Sequence, residues 1–314
     1  MKLKDLITQY IAFRKSMGGD FESADSLLNT FCRRMGVDID IADITTERVE
    51  EFLAATGVNH YWRRKYDTLR GFYRYAASRG FINQAPLPAT VPKMPERFVP
   101  YIYNPDELQR LINPTAPERI GFRKLQPHTL RAVLLLLYGA GLRIGEAVAL
   151  KLEDVDLRDA VITIRDTKFH KTRLVPIGPK LNQAMAQYAA QRKNVGHSQS
   201  SDAPFFLLRR GKPLSVQIVQ QAFTRLRRYA GVGRADGARY QPRLHDMRHS
   251  YTVHRLTSWY QQGADVQKLL PYLSTYLGHV NIAATQRYLT MTPELLHAAS
   301  VCLERYALSE VHHD

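Results

Sequence analysis

Apolar positions fall into four helical periods, then a proline-rich break, then a longer and more varied stretch. From Leu3 to Met17, residues Leu3, Leu6, Ile7, Tyr10, Ile11 and Phe13 recur at the spacing of one helix face. Gly18-Gly19 ends that helix. A second is expected from Glu22 to Met35, with Leu27, Leu28, Phe31 and Cys32 inward. Thr45-Thr46 opens a third, short helix to about Ala55, and Asn59 starts a fourth that ends at Gly80. Four such helices make a small bundle. Residues 85–105 then hold six of the 16 prolines. Proline at this density breaks helices and stiffens an extended connection. The expected domains are therefore 1–84, a linker at 85–103, and 104–314.

The second domain mixes periods. Asn104-Pro105 should cap its first helix. Pro127–Tyr138 is apolar enough to be a core helix, and Gly139 to Gly141 break it. A new helix begins around Arg143, with Ala147, Val148 and Leu150 inward. Ala160–Arg165 and Arg173–Ile177 alternate as the strands of a β-hairpin, with DTKFHKT between them. A helix from Pro179 to Lys193, a short strand Phe205–Leu208 and a helix capped by Ser215 and running through Tyr229 follow. The fold class is thus mainly α with a small antiparallel β-sheet. The tail, Pro293–Leu308, reads as an amphipathic helix with Leu295, Leu296, Ala299, Cys302, Leu303 and Tyr306 on one face.

Charge changes the picture most. The 314 residues carry net charge +15, with a pI near 9.8. That implies an anionic partner, nucleic acid or an acidic membrane surface. Seventeen Tyr and 12 Phe argue that a folded body carries the charge. Residues 1–100 hold 15 basic against 12 acidic residues, so DNA contact there must come from a local face. The fourth helix offers one, with Arg63, Arg64, Lys65 and Arg70 among aromatics; it reads equally as a core helix with a solvated basic side. Arg209, Arg210, Lys212, Arg225 and Arg228 form a second basic stretch that reads as a DNA-facing or merely solvated surface. Two cysteines, Cys32 and Cys302, fit buried free thiols in a reducing compartment better than a disulfide framework. No Cys/His spacing resembles a zinc site. The opening residues read as an amphipathic helix rather than a secretory signal, and the longest apolar run, Ala132–Tyr138, is too short to span a membrane. A cytoplasmic location is the default expectation.

The chemistry concentrates between Leu244 and Tyr288. His245 and Arg248 lie three apart in a helical pattern and so share a face. His279 follows Gly278 at the stop of the apolar run Leu273–Leu277, and Tyr288 lies nine residues further on a helix that Asn281 is placed to cap. Imidazoles, a guanidinium and a phenol suggest an anion handled by a nucleophile of high pKa. Upstream, Arg143 at the edge of an apolar segment needs a partner, and Glu146 is placed to hold it. Lys168 lies near the hairpin turn, where a lysine serves solubility or reaches into a groove.

Taken in order, GLRIGE with Arg143, the hairpin TKFHKTRLVPIG with Lys168, HDMR with His245 and Arg248, LGH with His279, and Tyr288 resemble the tyrosine recombinases, the phage-integrase and Xer-like group. Residues 104–314 carry the resemblance strongly. Residues 1–85 resemble that family's helical core-binding domain more loosely. Lys168, rather than Lys171, falls at the matching position. The resemblance implies Tyr288 as nucleophile, Arg143 and Arg248 as clamps on the phosphate oxygens, His245 as proton acceptor, His279 as a hydrogen-bonding partner and Lys168 as proton donor to the leaving oxygen. It further implies a 3′-phosphotyrosyl intermediate, a Holliday junction between paired double-stranded DNA sites, and a homo-tetramer formed on DNA from a solution monomer. No metal, ATP or other cofactor is expected, and no membrane. The rivals are a type IB topoisomerase-like enzyme and a non-catalytic DNA-binding protein on the same fold, with a metal-dependent nuclease more distant.

Overall fold

The computed structural model describes residues 1–18, 21–94, 99–115, 120–122, 124–167, 171–195, 197–238, 240–279 and 281–310. The chain divides into two compact units, Met1–Phe98 and Val99–Asp314.

The first unit is a bundle of α1 (Leu3–Ser16), α2 (Glu22–Met35), α3 (Thr46–Ala54) and α4 (His60–Ser78). Asn59 caps α4, its side chain accepting from the backbone N–H groups of Tyr61 and Trp62. Leu3, Leu6, Ile7 and Tyr10 of α1 meet Leu28 and Phe31 of α2 and Leu69, Phe72 and Tyr73 of α4 in one buried cluster. Each such side chain contributes about 1.5–3 kcal/mol by leaving water. Phe13, read as part of that apolar face, is 39% exposed and lies outside the core.

One expectation for α4 fails. Lys65 points into the bundle, where Nζ donates to the Phe52 carbonyl (2.7 Å) and lies 4.6 Å from the Phe52 ring centre. Burial, then the nearby Arg34, makes its charged form less favourable than in water. A lysine so placed cannot neutralise phosphate. Its long apolar stem satisfied the inward side of α4, which residue type alone does not reveal. Arg64 and Arg70 are exposed, whereas Arg63 is half-buried and paired with Asp67 at 3.0 Å.

The second unit begins with α5 (Pro105–Ile112), whose Asn104 and Glu107 form a reciprocal capping box. The apolar α6 (Pro127–Gly139) packs against α8 (Pro179–Asn194) and α10 (Asp246–Gln261). Between them come α7 (Ile144–Ala149) and a three-stranded antiparallel sheet, β1 (Val155–Asp156), β2 (Val161–Thr167) and β3 (Lys171–Pro176). Ile162 pairs with Val175 and Ile164 with Arg173, and both isoleucines face the core. Along β3, Arg173 and Val175 point inward while Leu174 is 62% exposed. That is the period-two alternation of a half-buried strand.

The stretch 205–208 is not a strand. It makes isolated bridges (Lys151 with Pro204, Leu207 with Pro213), because its backbone groups bond to Leu150 and Lys212 instead of to a ladder. Phe205 and Phe206 are buried against Tyr188. Their apolarity is core packing. Ser215 caps α9 (Val216–Tyr229), on which Arg225 and Arg228 are exposed, as are Arg209, Arg210 and Lys212 before it. Arg225 also donates to the Gly121 carbonyl at 3.0 Å.

A smaller core gathers α10, α11 (Val266–Leu277), Tyr288 and Leu295. The final helix, α13 (Pro293–Glu310), lies on α10 through Leu295 and Ala298, whereas Leu296 and Leu303 are 48% and 67% exposed. The single apolar face expected for this helix is therefore split. Both cysteines are free thiols. Among the described residues, no helix is long and apolar enough to cross a membrane.

Candidate active site

The site is assembled around the C-terminal end of α11. Carbonyls at a helix end lack partners within the helix and form the negative pole of its dipole. Arg248 donates Nη2 to the Leu277 carbonyl (2.5 Å) and Nη1 to the Gly141 carbonyl (2.7 Å). Arg143 donates Nη2 to the Gly278 carbonyl (3.1 Å). Arg173 donates Nε to the Tyr276 carbonyl (3.0 Å). Gly278 makes this convergence feasible. Its φ of +66° belongs to the left-handed region, and a Cβ there would stand 2.8 Å from Arg173 Nη1.

Glu146 ties the guanidinium groups together. It accepts two bonds from Arg173 (3.1 and 2.8 Å), one from Arg143 Nη1 (2.8 Å) and one from the Arg143 backbone N–H (2.9 Å). Arg248 Nη1 stands 4.0 Å away. Burial alone would raise the carboxyl pKa; the bonds and charges of Arg173 and Arg143 outweigh it and hold Glu146 at about 2. Arg248, only 2% exposed, is drawn down to about 10 by burial and by Arg143. It remains charged at neutral pH. Three cations against one carboxylate leave net positive charge, open to solvent mainly at Arg143, whose side chain is 39% exposed.

Imidazoles line the other side. His245 immediately precedes α10, and its ring centre is 4.7 Å from that of His249. Tyr288, 4% exposed, sits on the 3-10 turn Arg287–Thr290 rather than on an α-helix. The helix before it, α12 (Ala283–Gln286), is one turn long, and Asn281 accepts from the Ala284 N–H at 3.1 Å as a cap should. The phenol oxygen is 2.8 Å from His249 Nδ1. His279 lies parallel to the Tyr288 ring at 6.3 Å and holds the Thr285 hydroxyl at 2.7 Å through Nδ1. Burial and then Arg248 lower the proton affinity of His245; burial and the arginines bring His279 to about 4. Burial and His245, with Arg243, Arg248 and His279, bring His249 to about 3. Burial also raises the Tyr288 pKa, and Arg248 offsets part of the rise. The resting site therefore holds a neutral phenol and neutral imidazoles beside a cationic pocket.

The structure thus brings together Arg143, Glu146, His245, Arg248, His279 and Tyr288. Lys168 lies outside the described residues. Two side chains at the site escaped the sequence reading. Arg173 sits on the inward phase of β3, two residues before the buried Val175, so an arginine there signals a buried partner. His249 is one turn after His245 on the same helix face, a spacing readable from HDMRHS. An open groove of about 420 Å³ extends from His245 past Ile144, Arg243 and Arg227 to Gln220 and Thr224.

The Phage integrase family profile matches residues 103–294. A Sinorhizobium fredii protein named as an integrase/recombinase, y4rB, is 36% identical over 306 residues, covering 96% of this chain and 97% of that one. Tyrosine recombinase XerC of Azotobacter vinelandii is 31% identical over 278 residues, covering 87% and 84%. The chain belongs to the phage integrase family of tyrosine recombinases. Among solved structures, the Tn1549 transposon integrase superposes with a TM-score of 0.69 at 18% identity, covering 98% of this chain and 100% of that one. Lambda integrase gives 0.64 at 19%, covering 90% and 97%. At such identities the likeness is one of fold.

Proposed function

We propose that this recombinase cleaves and rejoins double-stranded DNA at paired sites through a 3′-phosphotyrosyl bond to Tyr288. The observation that carries the reading is the buried phenol set against arginines whose charge a single carboxylate leaves in excess. A phosphodiester is anionic, and its transition state concentrates further charge on the non-bridging oxygens. Arg143 and Arg248 supply fixed cationic donors for those oxygens, and their anchorage on helix-end carbonyls removes the cost of organising them during reaction. Glu146 positions Arg143 and keeps the like-charged cluster together. His245 and His279 hydrogen-bond the phosphate, and His245 exchanges protons with it. Lys168 donates the proton that the leaving 5′-oxygen requires. The phosphotyrosyl bond retains a reactive phosphodiester, so a second DNA end attacks it without ATP, and guanidinium groups take the charge-stabilising place that a metal ion would otherwise fill.

Exchange of strands between two sites passes through a Holliday junction on a protein tetramer. The structure of a lambda integrase tetramer bound to a Holliday junction, and of the Tn1549 integrase with transposon right-end DNA, support this extension. The exposed Arg64 and Arg70 of the first unit, which acts as a core-binding domain, and Arg209, Arg210, Lys212, Arg225 and Arg228 of the catalytic unit, would neutralise backbone phosphates. The test is covalent capture: protein is mixed with fragmented genomic DNA in EDTA, denatured, and attached DNA is recovered and sequenced. Wild type should retain DNA through a 3′ end, and Tyr288→Phe should retain at least about 10³-fold less. Equal capture by both proteins would remove Tyr288 as nucleophile, and capture that needs a divalent metal would remove the metal-free mechanism.

A further inference from the structure

A phenol needs somewhere to send its proton, and the roles above leave that step at Tyr288 without a group in contact. His245, the acceptor that family resemblance suggests, has its ring against His249. His249 is the imidazole whose Nδ1 stands 2.8 Å from Tyr288 Oη, with the ring centres 5.5 Å apart. It is half-buried on the first turns of α10, one residue beyond Arg248, and the Thr252 hydroxyl approaches the same phenol. We propose that His249 is the proton acceptor for Tyr288 in the cleavage step and returns that proton on rejoining. The inference rests on the assignment of Tyr288 as nucleophile.

The step balances as follows. The Oη–H bond breaks and its proton moves to His249 Nδ1. The freed oxygen pair forms the Oη–P bond while the P–O5′ bond breaks, its electrons leaving on the 5′-oxygen, which takes a proton from the acid assigned to Lys168. Rejoining reverses each transfer. Nδ1 must arrive as a bare acceptor, so His249 carries its hydrogen on Nε2 in the resting protein.

The surroundings explain why the step waits for substrate. His245, Arg243, Arg248, His279 and Tyr288 face His249, and in the free protein burial first, then crowding by the neighbouring imidazoles and the Arg243 and Arg248 guanidinium groups, hold its basicity far below that of an ordinary imidazole. A phosphodiester seated on Arg143 and Arg248 places a negative charge beside them. It opposes the very charges that suppress His249, so the acceptor gains basicity when DNA is in place. A free enzyme would keep its phenol protonated and inert.

Two measurements decide the matter on the full chain. The first is ¹⁵N imidazole NMR of the wild type, with the His249 signal assigned by its disappearance in His249→Asn. The Nε2–H tautomer with an unprotonated Nδ1 is expected at pH 7, and an Nδ1–H tautomer would overturn the proposal. The second is the rate of covalent capture, on fragmented genomic DNA, by wild type, His249→Ala and His249→Asn, with folding checked by circular dichroism. Both variants should slow capture by about 10²-fold or more at pH 7. Their rates should then climb roughly tenfold per pH unit toward pH 9, as solvent hydroxide takes over the deprotonation, while wild type changes less. Asn accepts a hydrogen bond but no proton, so rescue by His249→Asn would make His249 a positioning residue and overturn the proposal, as would capture by His249→Ala at the wild-type rate. A wild type that captures nothing sinks the nucleophile assignment, and this inference with it.

Discussion

Lys65 and Arg248 make an instructive pair, a buried cation drawn from each of the two units. Lys65 is 4% exposed and Arg248 2%. Lys65 is satisfied by a carbonyl and aromatic faces, with its charge disfavoured by burial and by Arg34. Arg248 is packed with Arg143 and Arg173 around Glu146, and all three guanidinium groups lean on the end of α11. Burial of a charge therefore does not mark a functional site. Crowding of like charges does, because a fold gains nothing from such a cluster unless an anion completes it.

The sharpest way to break this contrast is Glu146→Gln. It leaves three guanidinium groups with no carboxylate, and removing one partner of a buried ion cluster should cost about 3–5 kcal/mol, read by urea denaturation, together with loss of DNA capture. A shift below about 1 kcal/mol would mean that helix-end carbonyls alone hold the cluster. Arg173→Lys keeps the charge but loses the two-pronged bond to Glu146; about 1–2 kcal/mol and roughly tenfold slower capture are expected.

Acid should act on the imidazole side. His249 and His279 have folded pKa values depressed to about 3 and about 4, below the usual value near 6.5. Their contribution to stability is thus fully present above about pH 6.5 and is lost as pH falls through the folded values. Each group can contribute a slope of at most about 1.4 kcal/mol per pH unit within that window. Urea melts from pH 7 to pH 4 should show the loss, and His279→Gln should flatten it. A wild type equally stable across that range would contradict the neutral resting state.

The smallest effect is expected in the first unit. Lys65→Met replaces a buried cation with an apolar chain of similar length and should change stability by about 1 kcal/mol or less, with DNA affinity and its salt dependence unchanged. Arg64→Ala, at an exposed position beside it, should lower the salt slope of DNA binding by about one counterion. Filter binding at several salt concentrations compares the two. A reduced slope for Lys65→Met would return that residue to the DNA-facing surface.

The sequence by itself determined most of the helices, because periodicity and caps such as Asn59, Asn104 and Ser215 are local devices. Its ordered motifs also named the family, and they marked Arg143, Glu146, His245, Arg248, His279 and Tyr288, which the structure brings together. It misread Phe205–Leu208, where apolar content looks the same in a strand and in a core loop, and Lys65, whose side chain has both an apolar stem and a charged tip. Only the tertiary structure decided which partners Glu146 holds and which group touches the nucleophile. Arg173 reaches Glu146 from 27 residues along the chain, and His249 reaches Tyr288 from 39. Local pattern constrains a backbone over a few turns. Contacts at that separation are set by how strands and helices pack, and the cationic site exists only once β3, α7, α10 and α11 have met.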